Sequence, residues 1–160
     1  MARSPQSGGP SPIPAAPPDL KFLPALLALL FLPLVAHAQT QSPIGTWKGE
    51  KGTFQIYDQG GKLFGKIIAL TEPNRDGKPK TDWKNPDPAK QSVPLIGIVF
   101  LKNFAPASSP GRWENGTIYD PENGKTYSAF MQMTGNDKIE ARGFIGFSLL
   151  GRSQNWTRIK

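Results

Sequence analysis

From residue 39 onward the chain carries short apolar or β-branched runs parted by Gly, Pro, Asn and Asp, and nowhere repeats apolar residues at i, i+3, i+4 and i+7. An amphipathic helix needs that period to bury one face, and scattered glycine weighs further against helix. Such a pattern confines the chain to strands. "GTFQIYD" leads through Gly60-Gly61 into "KLFGKIIAL", a two-residue hairpin. "LIGIVFLKNF" (95–104), "GRWENGTIY", "KTYSAFMQM", "IEARGF" and "RSQNWTRI" follow, with Trp47 in an opening strand. About eight strands at this spacing predict an all-β domain, a small antiparallel barrel or sandwich.

What precedes the strands reads as an address. Residues 1–19 are rich in Pro, Ser and Gly with almost no large apolar side chain, a disordered extension or the product of a start codon assigned ahead of Leu20. In 20–38, Lys21 supplies a positive start, Phe22–Val35 an apolar run, and Ala36-His37-Ala38 the small residues before a cut. This is the anatomy of a Sec-type signal peptide cleaved after Ala38. The run is short for a membrane span and is interrupted by Pro24 and Pro33, so no stable span is expected after cleavage. The expected location is periplasmic or secreted, with residues 39–160 as a single domain.

That domain lacks two chemistries. The chain has no Cys, and its only His, His37, lies in the signal segment. Without thiol or imidazole there is no Ser-His-Asp or Cys-His catalysis, and no zinc or copper site of the usual ligands. No disulfide is available, and no cofactor or metal is implied. Leaving out Arg3, Lys21 and Asp19, 17 basic and 11 acidic residues remain, a formal net charge of +6. The charges are interspersed, with no basic run interleaved with aromatics, so nucleic acid is not expected as a partner.

Two stretches stand out. In "YDPENGKTY" (119–127), Asp120, Glu122 and Asn123 surround a proline and a glycine. The spacing of an EF-hand is missing. Pro121 suits the second position of a type I turn, Gly124 the left-handed position that closes a hairpin, and Asp120 can bond the backbone across it. The segment 71–94, proline-rich with three aspartates, is a long loop held by tight turns at Asn85-Pro86 and Asp87-Pro88. A loop of that length in a compact domain is either functional or a solvated crossover.

At "NPDP…PLIG", "YDPENGKTY" and "RGFIGFSLLGRSQNWTR" the chain resembles the Domain of Unknown Function 2147 family, exported bacterial proteins of no established activity, over Gly45 to the C-terminus. That family is similar in turn to the calycins, small barrels that include lipocalins and fatty-acid-binding proteins. Gly45-Thr46-Trp47 matches the G-x-W of the calycin first strand. The resemblance implies that a late Arg, Arg158 in the last strand or else Arg152, packs across Trp47 and closes the barrel base. It supplies no catalytic residues.

Three functions remain open. The first is a non-enzymatic exported module that binds a small apolar or anionic ligand, or associates with the cell envelope. Phe54, Ile56, Phe64, Ile68, Phe130, Met131, Phe144 and Phe147 are then candidates to line a lumen, or are ordinary core. The alternative is a carboxylate-based hydrolase of cell-envelope glycan, drawing on Asp82, Asp120, Glu122 and Glu140. The third is a structural envelope protein with a filled lumen. A ligand site is expected where the long loop meets the rim segment 143–152, with Asp82 and Asn85 as polar contacts, Trp83 as an apolar lid, and Arg152 as a fork for a carboxylate or phosphate. Glu140 and Arg142 share a strand face, either as a lumen pair or as a solvated salt bridge.

Overall fold

A computed structural model describes Gly9 and residues 42–146 and 151–159. The signal segment, the Ala38 site and Phe147 lie outside the described residues.

Alternating runs build eight barrel strands. These are β1 (Gly45–Lys48), β2 (Gly52–Gln59), β3 (Lys62–Leu70), β6 (Val99–Pro106), β7 (Arg112–Asp120), β8 (Lys125–Gly135), β9 (Lys138–Phe144) and β10 (Gly151–Ile159). Every neighbouring pair is antiparallel, and β10 returns to pair with β1, closing an up-and-down barrel in the order β1-β10-β9-β8-β7-β6-β3-β2. The long β3–β6 connection carries a small hairpin, β4 (Asn74–Arg75) with β5 (Lys78–Pro79), and a 3₁₀ turn at Pro88–Lys90. Gly60 and Gly61, with φ of 65° and 78°, form the tight turn that joins β2 to β3. The sixth strand starts at Val99, not Leu95. Residues 95–98 belong to the loop, with Leu95 buried beneath it.

The alternation assigns each strand's faces. Trp47, Ile56, Leu101, Phe104, Met131, Met133 and Ile139 point inward and fill the lower lumen. The opposite phase faces out, and it carries four residues that the sequence offered to the lumen. Phe64 stacks on Tyr57 outside the barrel, and Ile68 is exposed. Phe130 lies on the outer face under the Arg112 guanidinium, with Phe144 beside it at the rim. The apolar run of β3 offers both phases, and Leu63 and Ile67 took the inner one. Glu140 and Arg142 also face out, both bonded to the Ser153 hydroxyl, while Ile139 and Ala141 face in.

The two ends differ. One holds residues 42–44, the Gly60-Gly61 turn, 107–111 and 136–137. Here Trp47 is fully buried and donates its indole N–H to the Pro43 carbonyl at 2.8 Å. The Arg158 guanidinium lies 4.3 Å over the Trp47 ring and donates to the carbonyls of Ile44 (2.9 Å) and Ser42 (2.6 Å). This contact satisfies the backbone entering β1 and seals the base. The other end gathers the β1–β2 loop, the long loop, the 121–124 turn and the β9–β10 connection.

Candidate functional site

The upper lumen is not filled. On β10 the inward column runs Arg152, Gln154, Trp156, Arg158 from mouth to base, set by the two-residue period of the strand. Trp156 meets Phe54 at a centroid distance of 5.0 Å, and Phe54 meets Phe100 at 4.8 Å. These three rings form an apolar floor. Above it β9 presents only Ala141 and Gly143, which leave space where larger side chains would reach across. A cavity of about 1160 Å³ results, bounded below by the ring floor and above by Trp83, Tyr127, Ile145 and Arg152.

The long loop is fastened over one side of this mouth. Asp82 is 2% exposed, the sole buried charged residue among those described. It accepts from the Tyr119 hydroxyl at 2.6 Å and from the Asn85 amide at 2.6 Å. Two such short bonds offset the cost of burying a carboxylate. Burial, together with the hydrogen bond and charge of Asp82, holds the Tyr119 phenol well above its ordinary range. The Asn85 side-chain oxygen Oδ1 accepts from the Asp87 amide, and Asp87 in turn caps the 3₁₀ turn. Lys90 and the Ala89 amide beside it lower the Asp87 carboxyl. Asp82 and Asn85 thus fix the loop from within and do not line the cavity, whereas Trp83 and Arg152 do.

The 120–124 stretch is a turn that also serves the mouth. Asp120 accepts from the Glu122 amide and the Asn123 side chain at 2.9 Å each, and its carbonyl from the Gly124 amide at 2.8 Å. Gly124 has φ of 72°, and a Cβ there would stand 2.0 Å from the Lys84 carbonyl oxygen. Glycine therefore lets the turn and the long loop touch.

The rim charges are sorted. Lys51 pairs with Glu122, Lys80 with Glu72 and Lys90 with Asp87. Arg75 and Lys84 flank the Trp83 ring at 4.9 and 4.8 Å. Arg152, facing inward at the mouth, has no ion-pair partner among the described residues. Of the four carboxylates considered for hydrolysis, Asp82 is buried and engaged, Asp120 is used by its turn, Glu122 is paired, and Glu140 is outside the barrel. No stretch of sequence flagged Tyr119, Phe100 or Trp156 as site residues. Only the strand phase, once known, puts them together.

No curated protein matches the chain. Among solved structures, a protein from Helicobacter pylori titled as belonging to the lipocalin family superposes with a TM-score of 0.65 at 20% identity, covering 74% of this chain and 84% of its own. That likeness concerns the fold, a lipocalin-like barrel. A family model described as an uncharacterized protein conserved in bacteria matches residues 45–158, every barrel strand but the last residue of β10, and the chain belongs to this DUF2147 family.

Proposed function

We propose that this protein is an exported, non-enzymatic barrel that binds a small amphiphile, with its apolar part on the ring floor and an anionic head at Arg152. The observation that carries the reading is the half-filled lumen: packed below Phe54, Phe100 and Trp156, vacant above them, and bordered at the mouth by one inward-facing guanidinium without a counter-ion among the described residues. An apolar pocket with one convergent charged group orients a ligand by its head. Export rests on the signal-like segment 20–38. The hydrolase alternative draws less support, because each of its four carboxylates has a structural partner.

The experiment is a thermal-shift screen of fatty acids, lysophospholipids, glycan fragments and nucleotides, repeated on Arg152→Ala and Trp83→Ala. A stabilising anionic amphiphile is expected, its shift reduced most by Arg152→Ala. A hit untouched by both substitutions places the site elsewhere. No hit from any class favours the structural reading.

A further inference from the structure

Seven large hydrophobic residues are exposed among those described, and five of them, Ile68, Trp83, Val93, Ile96 and Ile145, lie at the mouth end. Ile145 is 66% exposed, Ile96 49% and Trp83 48%. The long loop brings three of them together, since the Asp82 amide bonds the Val93 carbonyl and the Leu95 amide the Lys80 carbonyl. Beneath them the Asp82–Tyr119 bond keeps the loop in place, so the apolar tips are held outward by a built support.

Unpaired charges of both signs stand at this end, Glu50, Asp76 and Asp120 among the acids, but the two that flank the exposed Trp83 are cations. Glu72, Asp87 and Glu122 are taken by lysines, and Asp82 is buried. Arg75 and Lys84 bracket Trp83 without an acid partner among the described residues, and Asp76 at the hairpin tip is the one acid of this loop without a counterpart. A tryptophan between two cations, at the end of the barrel that also exposes Val93, Ile96 and Ile145, suits the boundary of an anionic bilayer. There the indole takes the headgroup–acyl level while the cations meet phosphates.

We propose that the mouth rim docks on an anionic lipid surface through Trp83, Val93, Ile96 and Ile145, with Arg75 and Lys84 on headgroup phosphates. Docked this way, the cavity opens onto the lipid, and an amphiphile passes between bilayer and barrel without crossing water. The docking itself does not depend on what the cavity holds.

Residues 39–160, which contain every strand of the closed barrel, are mixed with sucrose-loaded vesicles of phosphatidylcholine alone or with phosphatidylglycerol, and sedimented. Tryptophan emission is read in parallel. Trp47, Trp113 and Trp156 are buried, so a blue shift on docking reports Trp83. Binding is expected only with phosphatidylglycerol, weakened by salt. Arg75→Gln with Lys84→Gln should lower partitioning by about fivefold per cation, roughly thirtyfold for both. Trp83→Ser with Ile96→Ser should abolish it, and Ile159→Ser, at the sealed end, should leave it unchanged. Equal binding to neutral vesicles, loss in Ile159→Ser as large as in the rim variants, or concentration-dependent self-association without vesicle binding would each overturn the proposal.

Discussion

Replacing Trp47 by Ala tests whether the base seal holds the barrel shut. The side chain is fully buried, so truncation removes a large apolar group and leaves a hole the surrounding strands cannot collapse into, a cost of about 3–5 kcal/mol. Roughly 1 kcal/mol of that belongs to the indole bond to Pro43. Arg158→Ala removes the ring contact and two charged bonds to the Ser42 and Ile44 carbonyls, at about 1.5–3 kcal/mol. The Asp137 partner is 3.9 Å away and well exposed, so it adds little. A double-mutant cycle isolates the stacked pair and should return a coupling of about 0.5–2 kcal/mol. The assay is urea unfolding followed by circular dichroism, with equal m-values across the four proteins as the check on two-state behaviour. Against a total stability on the order of 5–15 kcal/mol, the Trp47 loss is easily read. A Trp47→Ala cost under about 1 kcal/mol, or a coupling within error of zero, refutes the seal.

Two further outcomes follow from the mouth. The Tyr119 phenol is raised in the folded state, so stability is full below the unfolded phenol value and falls as pH climbs above about 10; stability against pH should show that slope, and Tyr119→Phe should flatten it. At neutral pH the same change deprives Asp82 of a bond and should cost about 1.5–3 kcal/mol in a urea melt. Gly143→Leu fills the cavity: a Cβ there meets Tyr127 at 3.5 Å and Ile118 at 4.0 Å, ordinary contacts, so the melting temperature should hold while the thermal shift from any ligand hit disappears.

The strands were legible because alternation and turn residues act locally. The Gly60-Gly61 hairpin and the Asp120–Gly124 turn need only their own few residues. The faces were harder. "KLFGKIIAL" offers Leu63 and Ile67 on one side and Phe64 and Ile68 on the other, and only its partners choose between them. Register shifts against β6 complicate the choice further. Trp83 and Arg152 line the cavity, and their chemistry, an apolar ring in a long loop and a forked cation after a glycine, was legible wherever they stand. Asp82, offered as a ligand contact, lies buried against Tyr119, a partner 37 positions away, and nothing local announces a buried carboxylate. The vacancy above the ring floor had no signature either. It depends on Ala141 and Gly143 lying opposite rings supplied by three other strands.

The closing pair β1 and β10 joins the two extremes of the barrel's sequence, Trp47 opposite Arg158. Every other pairing within the sheet joins strands near in the chain or across the one long loop, whereas this one spans the whole barrel and waits, as β9–β10 does, for Gly151–Ile159. The entropy of bringing such distant segments together is met late, which places folding on the slow side for a domain of this size. Until β10 arrives, β1 and β9 are open edges able to pair with another chain. The same two strands that shut the base therefore make the fold all-or-none in time as well as in space: a chain cut before Gly151 lacks one strand, its guanidinium seal and the ring of Trp156 at once, and has no smaller barrel to fall back on.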